Sequence, residues 1–159
     1  MTVQISYPSE EFPPPVGFRL EVPDDWETLS VPGVQMAVAA PRREGSFRAN
    51  VVLTVQRCPA ATPLQSVRES LEARKAALPQ LEEIDTGELE IDGVPWLASE
   101  YGYTQPCQRT VVQAARYTMV PRSAHAADIL EVVASCGAED ADAQIAVLRR
   151  IQDSVRPVV

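Results

Sequence analysis

Histidine and lysine are nearly missing from this chain: His125 and Lys75 stand alone beside thirteen arginines. One histidine cannot build a His-rich metal site. Cysteine is also scarce. Cys58, Cys107 and Cys136 are an odd number at wide spacings with no C-x-x-C pair, which excludes a disulfide framework and a zinc ribbon. All three are expected to be free thiols, although sequence alone leaves open whether one pair meets in space. The seven glycines are scattered and form neither G-x-G-x-x-G nor a P-loop, so no phosphate cradle and no cofactor are expected. No apolar run approaches the roughly 20 residues that cross a bilayer. The segment from Met1 to Pro8 has neither a basic stretch nor an apolar core, so it does not read as a signal peptide and a cytoplasmic protein is expected. Net charge is -8 with a pI near 4.7. That surface repels phosphate backbones and anionic headgroups, so neither nucleic acid nor membrane is an expected partner.

What is present fits a soluble globular protein. With 159 residues, 45% apolar and 23% charged, the chain can bury a core without staples and reads as one domain over 1–159. The excess of arginine over lysine, in an alanine- and proline-rich chain, fits a high-GC bacterial genome.

Alternation of Val3, Ile5 and Tyr7 predicts a first strand over 2–7. Glu10 to Pro15 then predicts an extended segment, because three prolines forbid helix. It is either a linker covering a sheet edge or a docking peptide, and its acids weigh against the second; residues 1–16 thus read as an N-terminal strand and a proline-rich segment. Phe18, Leu20 and Val22 predict a strand that stops at Pro23, with Asp24-Asp25 in the turn and Trp26 as an anchor. Pro32-Gly33 is a type II turn signature joining 29–31 to 34–40. Phe47 to Arg57 predicts the strongest strand.

Thr62, Pro63 and Gln65 spell a capping box that opens a helix over 63–78. Leu64, Val67, Leu71 and Leu78 form its apolar stripe, with Arg68, Glu72 and Lys75 in solvent. Asp92-Gly93 marks a hairpin between strands at 84–91 and 94–105. Strands over 108–120 and 128–136 follow. Acids at 139, 140 and 142 and arginines at 149 and 150 bracket a second helix over 140–155, in the order the helix dipole favours. The sum is an α+β protein, a single antiparallel sheet with both helices packed on it.

Candidate site residues are few. Ser123, His125 and Asp128 invite a triad, but residues so close in one loop do not assemble a nucleophile, base and oxyanion hole. The acids Asp24, Asp25, Asp85, Glu88, Glu90 and Asp92 read as turn and outer-face carboxylates rather than an acid–base pair. Arg42, Arg43 and Arg48 form the one local basic cluster, suited to an acidic partner or a carboxylate. Glu100 and Arg116 are expected to pair across neighbouring strands, and Trp26 and Trp96 to anchor the core.

The run Gly17-Phe18-Arg19-Leu20-Glu21-Val22-Pro23-Asp24-Asp25-Trp26, the strand Phe47-Arg48-Ala49-Asn50-Val51-Val52, the Ile91–Pro95 hairpin and the closing helix resemble the PsbP-like superfamily. It includes the photosystem subunit P, the Ran-binding Mog protein and LpqN-type lipoproteins; bacterial chaperones of secreted toxins are similar in fold. The resemblance implies an α/β/α sandwich, and binding or assembly in place of catalysis; it carries over no catalytic residue. The expected function is therefore a non-catalytic protein-binding module, an adaptor or chaperone for a secreted or membrane-inserting protein, with a second copy as another partner to consider. The alternative is a small apolar ligand held between sheet and helix by Met36, Tyr101, Tyr103 and Tyr117. An exposed sheet face would favour the first, an enclosed pocket the second.

Overall fold

In the computed structural model, which describes residues 1–159, the longest runs of alternating residues become one sheet. Its strands are β2 (Glu27–Leu29), β3 (Met36–Ala39), β4 (Asn50–Pro59), β5 (Glu82–Ile91), β6 (Val94–Thr104), β7 (Thr110–Pro121) and β8 (Ala126–Gly137), where β1 is Gly17–Arg19. The spatial order is β2-β3-β4-β8-β7-β6-β5, seven strands with every neighbouring pair antiparallel. β1 pairs instead with β9 (Arg156–Val158) in a separate two-stranded ribbon. The architecture is α+β, as the sequence predicts.

After β4 the chain crosses the sheet as helix α1 (Leu64–Ala76), reaches the far edge at β5, and returns strand by strand until β8 pairs with β4. Helix α2 (Ala141–Ser154) follows β8. Leu148, Ile151 and Val155 join Val51, Leu53, Trp96, Leu130 and Val132 in one apolar layer. Val67 and Leu71 of α1 join Leu97, Tyr101, Ala115 and Tyr117 in another. Period-two alternation sends these strand residues to opposite faces, so the helices sandwich the sheet.

Several local expectations change. Residues 2–7 form no strand, and Val3, Ile5 and Tyr7 are exposed; alternation supplies a pattern but no neighbour to pair with. The capping box does not form. Pro63 occupies the cap position itself (φ -74, ψ 144), which leaves Thr62 outside the helix, and Ser66 Oγ donates to the Pro63 carbonyl at 2.6 Å. The Pro32-Gly33 turn is present, with Gly33 at φ 83 and Val34 N donating to Val31 O at 3.4 Å. Its strands, however, are only β2 and β3. Asp92 (φ 50) and Gly93 (φ 78) are both left-handed, which is the type I′ geometry their sequence calls for.

Glu100 and Arg116 do not pair with each other. The register places Glu100 opposite Ala114 and Arg116 opposite Ala98, and each reaches α2 instead. Arg149 donates to both Glu100 oxygens at 2.8 and 2.6 Å, and Arg116 pairs with Asp153 at 2.5 Å.

Candidate binding surfaces

The two faces of the sheet are covered unequally. On the α2 side Val51, Leu53, Leu130 and Val132 have no exposed surface. The residues between them on β4 and β8 point to the α1 side, and there Val52, Thr54, Ile129, Glu131 and Val133 are half-buried while Gln56 is exposed. Placement accounts for the difference: α2 lies over β7 and β8, where Phe18, Leu20, Val22 and Trp26 join its layer, whereas α1 sits over β6 and β7 and leaves the β4–β8 side open.

A groove of about 350 Å³ runs along that boundary, lined by Gln56, Thr62, Ser66 and Ser70 with Val67 and Ile129 between them. At its floor Arg74 donates to Tyr117 Oη at 2.6 Å and lies 3.3 Å from Glu131, while Tyr117 Oη donates to Glu131 at 3.2 Å. Burial, and then the Glu131 carboxylate, push the Tyr117 phenol well above its ordinary range. Burial pushes Tyr101 up to about 12. Both rings therefore stay neutral across physiological pH and can donate hydrogen bonds, but they supply no phenolate. From Tyr101 a chain of bonds runs across the sheet: Tyr101 Oη to Gln113 at 3.1 Å, and Gln113 Nε2 to Ser135 Oγ at 3.0 Å.

Under α1 lies the chain's one lysine. Lys75 is 1% exposed, not in solvent as its charge suggests. Its amine donates to Glu72 at 3.1 Å, Glu83 at 2.8 Å and Ser99 Oγ at 2.9 Å, and stands 5.2 Å from the centre of the Tyr101 ring. The spacing Leu71-Lys75-Leu78 puts it on the apolar stripe, a signal legible in the sequence. The pocket expected from Met36, Tyr101, Tyr103 and Tyr117 does not form: the tyrosines pack with the α1 layer, Tyr101 and Tyr117 buried, whereas Met36 packs with the layer on the other face.

The basic cluster also divides. Arg48 is tied to Glu27 and to the Ala40 carbonyl, both at 2.7 Å. Arg42 is exposed, and Arg43 lies on the rim of a second hollow of about 240 Å³ between Trp26, Phe47, Pro41 and Val147, with Asp25 and Asp140 beside it. Cys136 sits at the base of this hollow, its thiol pushed up to about 11 by burial and then by Asp140 and Glu139. It is protonated and a poor nucleophile. Trp96 is buried and Trp26 half-buried.

Ser123, His125 and Asp128 make no triad. Ser123 Oγ accepts from the backbone of His125 and Ala126, and the histidine is exposed. Asp128 is 0% exposed and accepts from Arg57 Nε at 2.9 Å and from Val16 N at 2.8 Å, with Arg122 at 3.4 Å. The same two arginines donate to the carbonyls of Pro13 and Pro14. Sequence reading missed this latch, although Asp128 falls in phase with the core row Leu130, Val132, Ala134 and Cys136. No group of three or more His, Cys, Asp or Glu side chains is arranged to hold a metal ion, and no helix is long and apolar enough to cross a membrane.

No family profile and no curated protein matches the sequence. Solved structures do match. LpqN of Mycobacterium tuberculosis, described as involved in cell envelope biogenesis, superposes with a TM-score of 0.75 at 13% identity, over 91% of this chain and 84% of that one. A Pseudomonas aeruginosa protein of unknown function gives 0.65 at 14% identity, over 92% of this chain and 99% of that one. The cyanobacterial PsbP of Synechocystis gives 0.62 at 14% identity, over 89% and 87%. The fold is therefore PsbP-like, of the LpqN type.

Proposed function

We propose that this protein is a non-catalytic binding module that holds a segment of another protein in the groove beside α1, as an adaptor or chaperone. The observation that carries the reading is the uneven cover of the sheet. Hydroxyl and amide side chains (Thr54, Gln56, Ser66, Ser70) alternate with half-buried Val52, Ile129 and Val133 on one open face. Such a surface offers apolar contact and neutral hydrogen bonds together, which suits a protein segment with its own mixed face. Arg74, Glu131 and Tyr117 support the same reading, since the first two form an ion pair and burial keeps the third neutral. A secreted or membrane-inserting protein is the partner class, and the cytoplasm the compartment that fits three unpaired cysteines.

The test inserts charge into the groove. Ser70→Arg and Gln56→Arg should keep the circular dichroism and melting temperature of the parent. They should lose the partner recovered from the native host by wild-type protein and weaken its binding, once purified, by about 100-fold or more, since an unpaired charge driven into a contact costs several kcal/mol. Retention of the partner by both variants, or turnover of a small molecule abolished by one conservative substitution, would overturn the reading.

A further inference from the structure

The outer edge of the sheet and the N-terminal segment each lack what the other provides. β5 is the last strand in the order and pairs only with β6, so its outward N–H and C=O groups have no ladder partner. Residues 82–88 are all exposed. At the other end of the chain Val3, Ile5 and Tyr7 are 88%, 72% and 64% exposed, and in a strand their alternation would put them on one side. We infer that residues 2–7 add to the β5 edge of a second copy of this chain, and that the exchange is reciprocal and makes a twofold dimer.

Charge does not oppose this guest. β5 carries Glu82, Glu83, Asp85, Glu88 and Glu90. Two β5 edges brought together would set acids against acids, which blocks the simplest edge-to-edge dimer. Thr2 to Tyr7 carries no charge at all. Shape agrees. β5 turns Gly87, Leu89 and Ile91 toward the α2 side, where Leu89 and Ile91 pack on the core. Next to them a groove of about 400 Å³ opens over Gly87, Ala98 and Ala114, walled by Asp85, Glu100, Arg116 and Arg149. A Cβ added at Gly87 would meet nothing within 4 Å. An added strand with Val3, Ile5 and Tyr7 facing that side would fill the space, and Thr2, Gln4 and Ser6 would lie beside Glu88 and Glu90 as neutral hydrogen-bonding neighbours.

The arm's own edge is out of reach. Arg57 and Arg122 hold the Pro13 and Pro14 carbonyls. A turn from Ser9 to Phe12 then doubles the chain back, and Tyr7 ends close enough to Arg57 on β4 to act on its charge. Three strands separate β4 from β5, so the slot beyond β5 lies roughly 24 Å away at about 4.8 Å per strand. With Tyr7 beside Arg57, residues 2–7 do not lie along it.

Sedimentation equilibrium on the full chain tests the inference, independently of the groove proposed above. Wild type should reach roughly twice the 17.4 kDa chain mass as concentration rises. Ile5→Asp, and a chain lacking residues 2–7, should stay monomeric with unchanged circular dichroism. Hydrogen exchange at residues 3–7 and 83–90 should slow by about tenfold or more in the wild-type dimer and in neither variant. A wild-type monomer at every concentration, a dimer that survives both changes, or protection of residues 3–7 in a monomer would each overturn it.

Discussion

Asp128 and Lys75 are both buried charges, yet their surroundings give them opposite energetic weight. Asp128 has no solvent contact, and it neutralises Arg122, whose side chain is only 11% exposed. Removing it takes the carboxylate from the largely buried Arg122 guanidinium and the acceptor from the Val16 amide. Asp128→Ala should therefore cost about 3–5 kcal/mol in urea unfolding, and it should free the proline-rich segment for proteolysis between residues 8 and 16. Lys75 is bound by Glu72 and Glu83, whose side chains are half exposed and stay hydrated without it. Lys75→Met keeps the shape of the stem and removes the charge, so its stability should stay within about 1 kcal/mol of wild type in the same experiment. An equal loss in the two variants would mean that burial of the charge alone, not the hydration of its partners, sets the cost. Each residue sits on an apolar stripe in the sequence. What the sequence hides is the set of partners, which come from β4, the loop after β7 and the N-terminal segment for Asp128, and from β5 and β6 for Lys75.

Among the elements, those with long periodic patterns were readable and those defined by pairing were not. α1, α2 and β4 to β8 lie within a few residues of their predicted spans because each repeats its period over ten or more residues. β1, β2 and β9 have three residues each, too few for a period, and β9 exists only because α2 returns the chain beside Gly17. The failure of residues 2–7 as a strand has the same cause, since alternation without a neighbouring ladder leaves backbone groups to water. α2 also shows which contacts fix an element. Its ion pairs Arg149–Glu100 and Arg116–Asp153 each include a partner close to half exposed or more, whereas Leu148 has no exposed surface. Arg149→Ala should cost under about 1 kcal/mol. Leu148→Ala should cost about 2–5 kcal/mol. Thermal or urea melts of the two variants check the order, and a larger loss at Arg149 would mean that α2 is held mainly by charge.

At the scale of the whole molecule the cysteines report on both packing and compartment. Cys107 is exposed in a turn, Cys58 half-buried on β4 and Cys136 buried under α2. Unfolded, unreduced protein should yield three reactive thiols; finding one would mean a disulfide and would reopen the compartment. In native protein at pH 8, Cys107 should react first and Cys136 only on unfolding. Burial raises the folded Cys136 pKa to about 11 from a model-compound value of 9.0. Below pH 9 the thiol is protonated in both states and this stabilisation is fully present. Between pH 9 and 11 the unfolded chain loses its proton first, and stability falls by an amount on the order of 2–3 kcal/mol. Cys136→Ala should remove that part of the alkaline slope in melts taken across the window.

The sequence by itself determined the fold class, the two helices, the order of the long strands and their buried rows, because side-chain period and turn chemistry are local properties. That no Gly-rich loop or clustered Cys/His motif is present was legible for the same reason, since such motifs are local as well. Only the tertiary structure decided that Glu100 and Arg116 each turn to α2, that Met36 and the tyrosines lie on opposite faces, and that Arg48 is tied to Glu27 instead of forming a patch with Arg42 and Arg43. Cross-strand register and helix placement set those distances, and both depend on residues far apart in the chain. The open face beside α1 belongs to this second group. The local pattern of β8 marks the Glu131 and Ser135 side as the less apolar one, but nothing in it says that α1 will lie over β6 and β7 and leave the β4–β8 side uncovered.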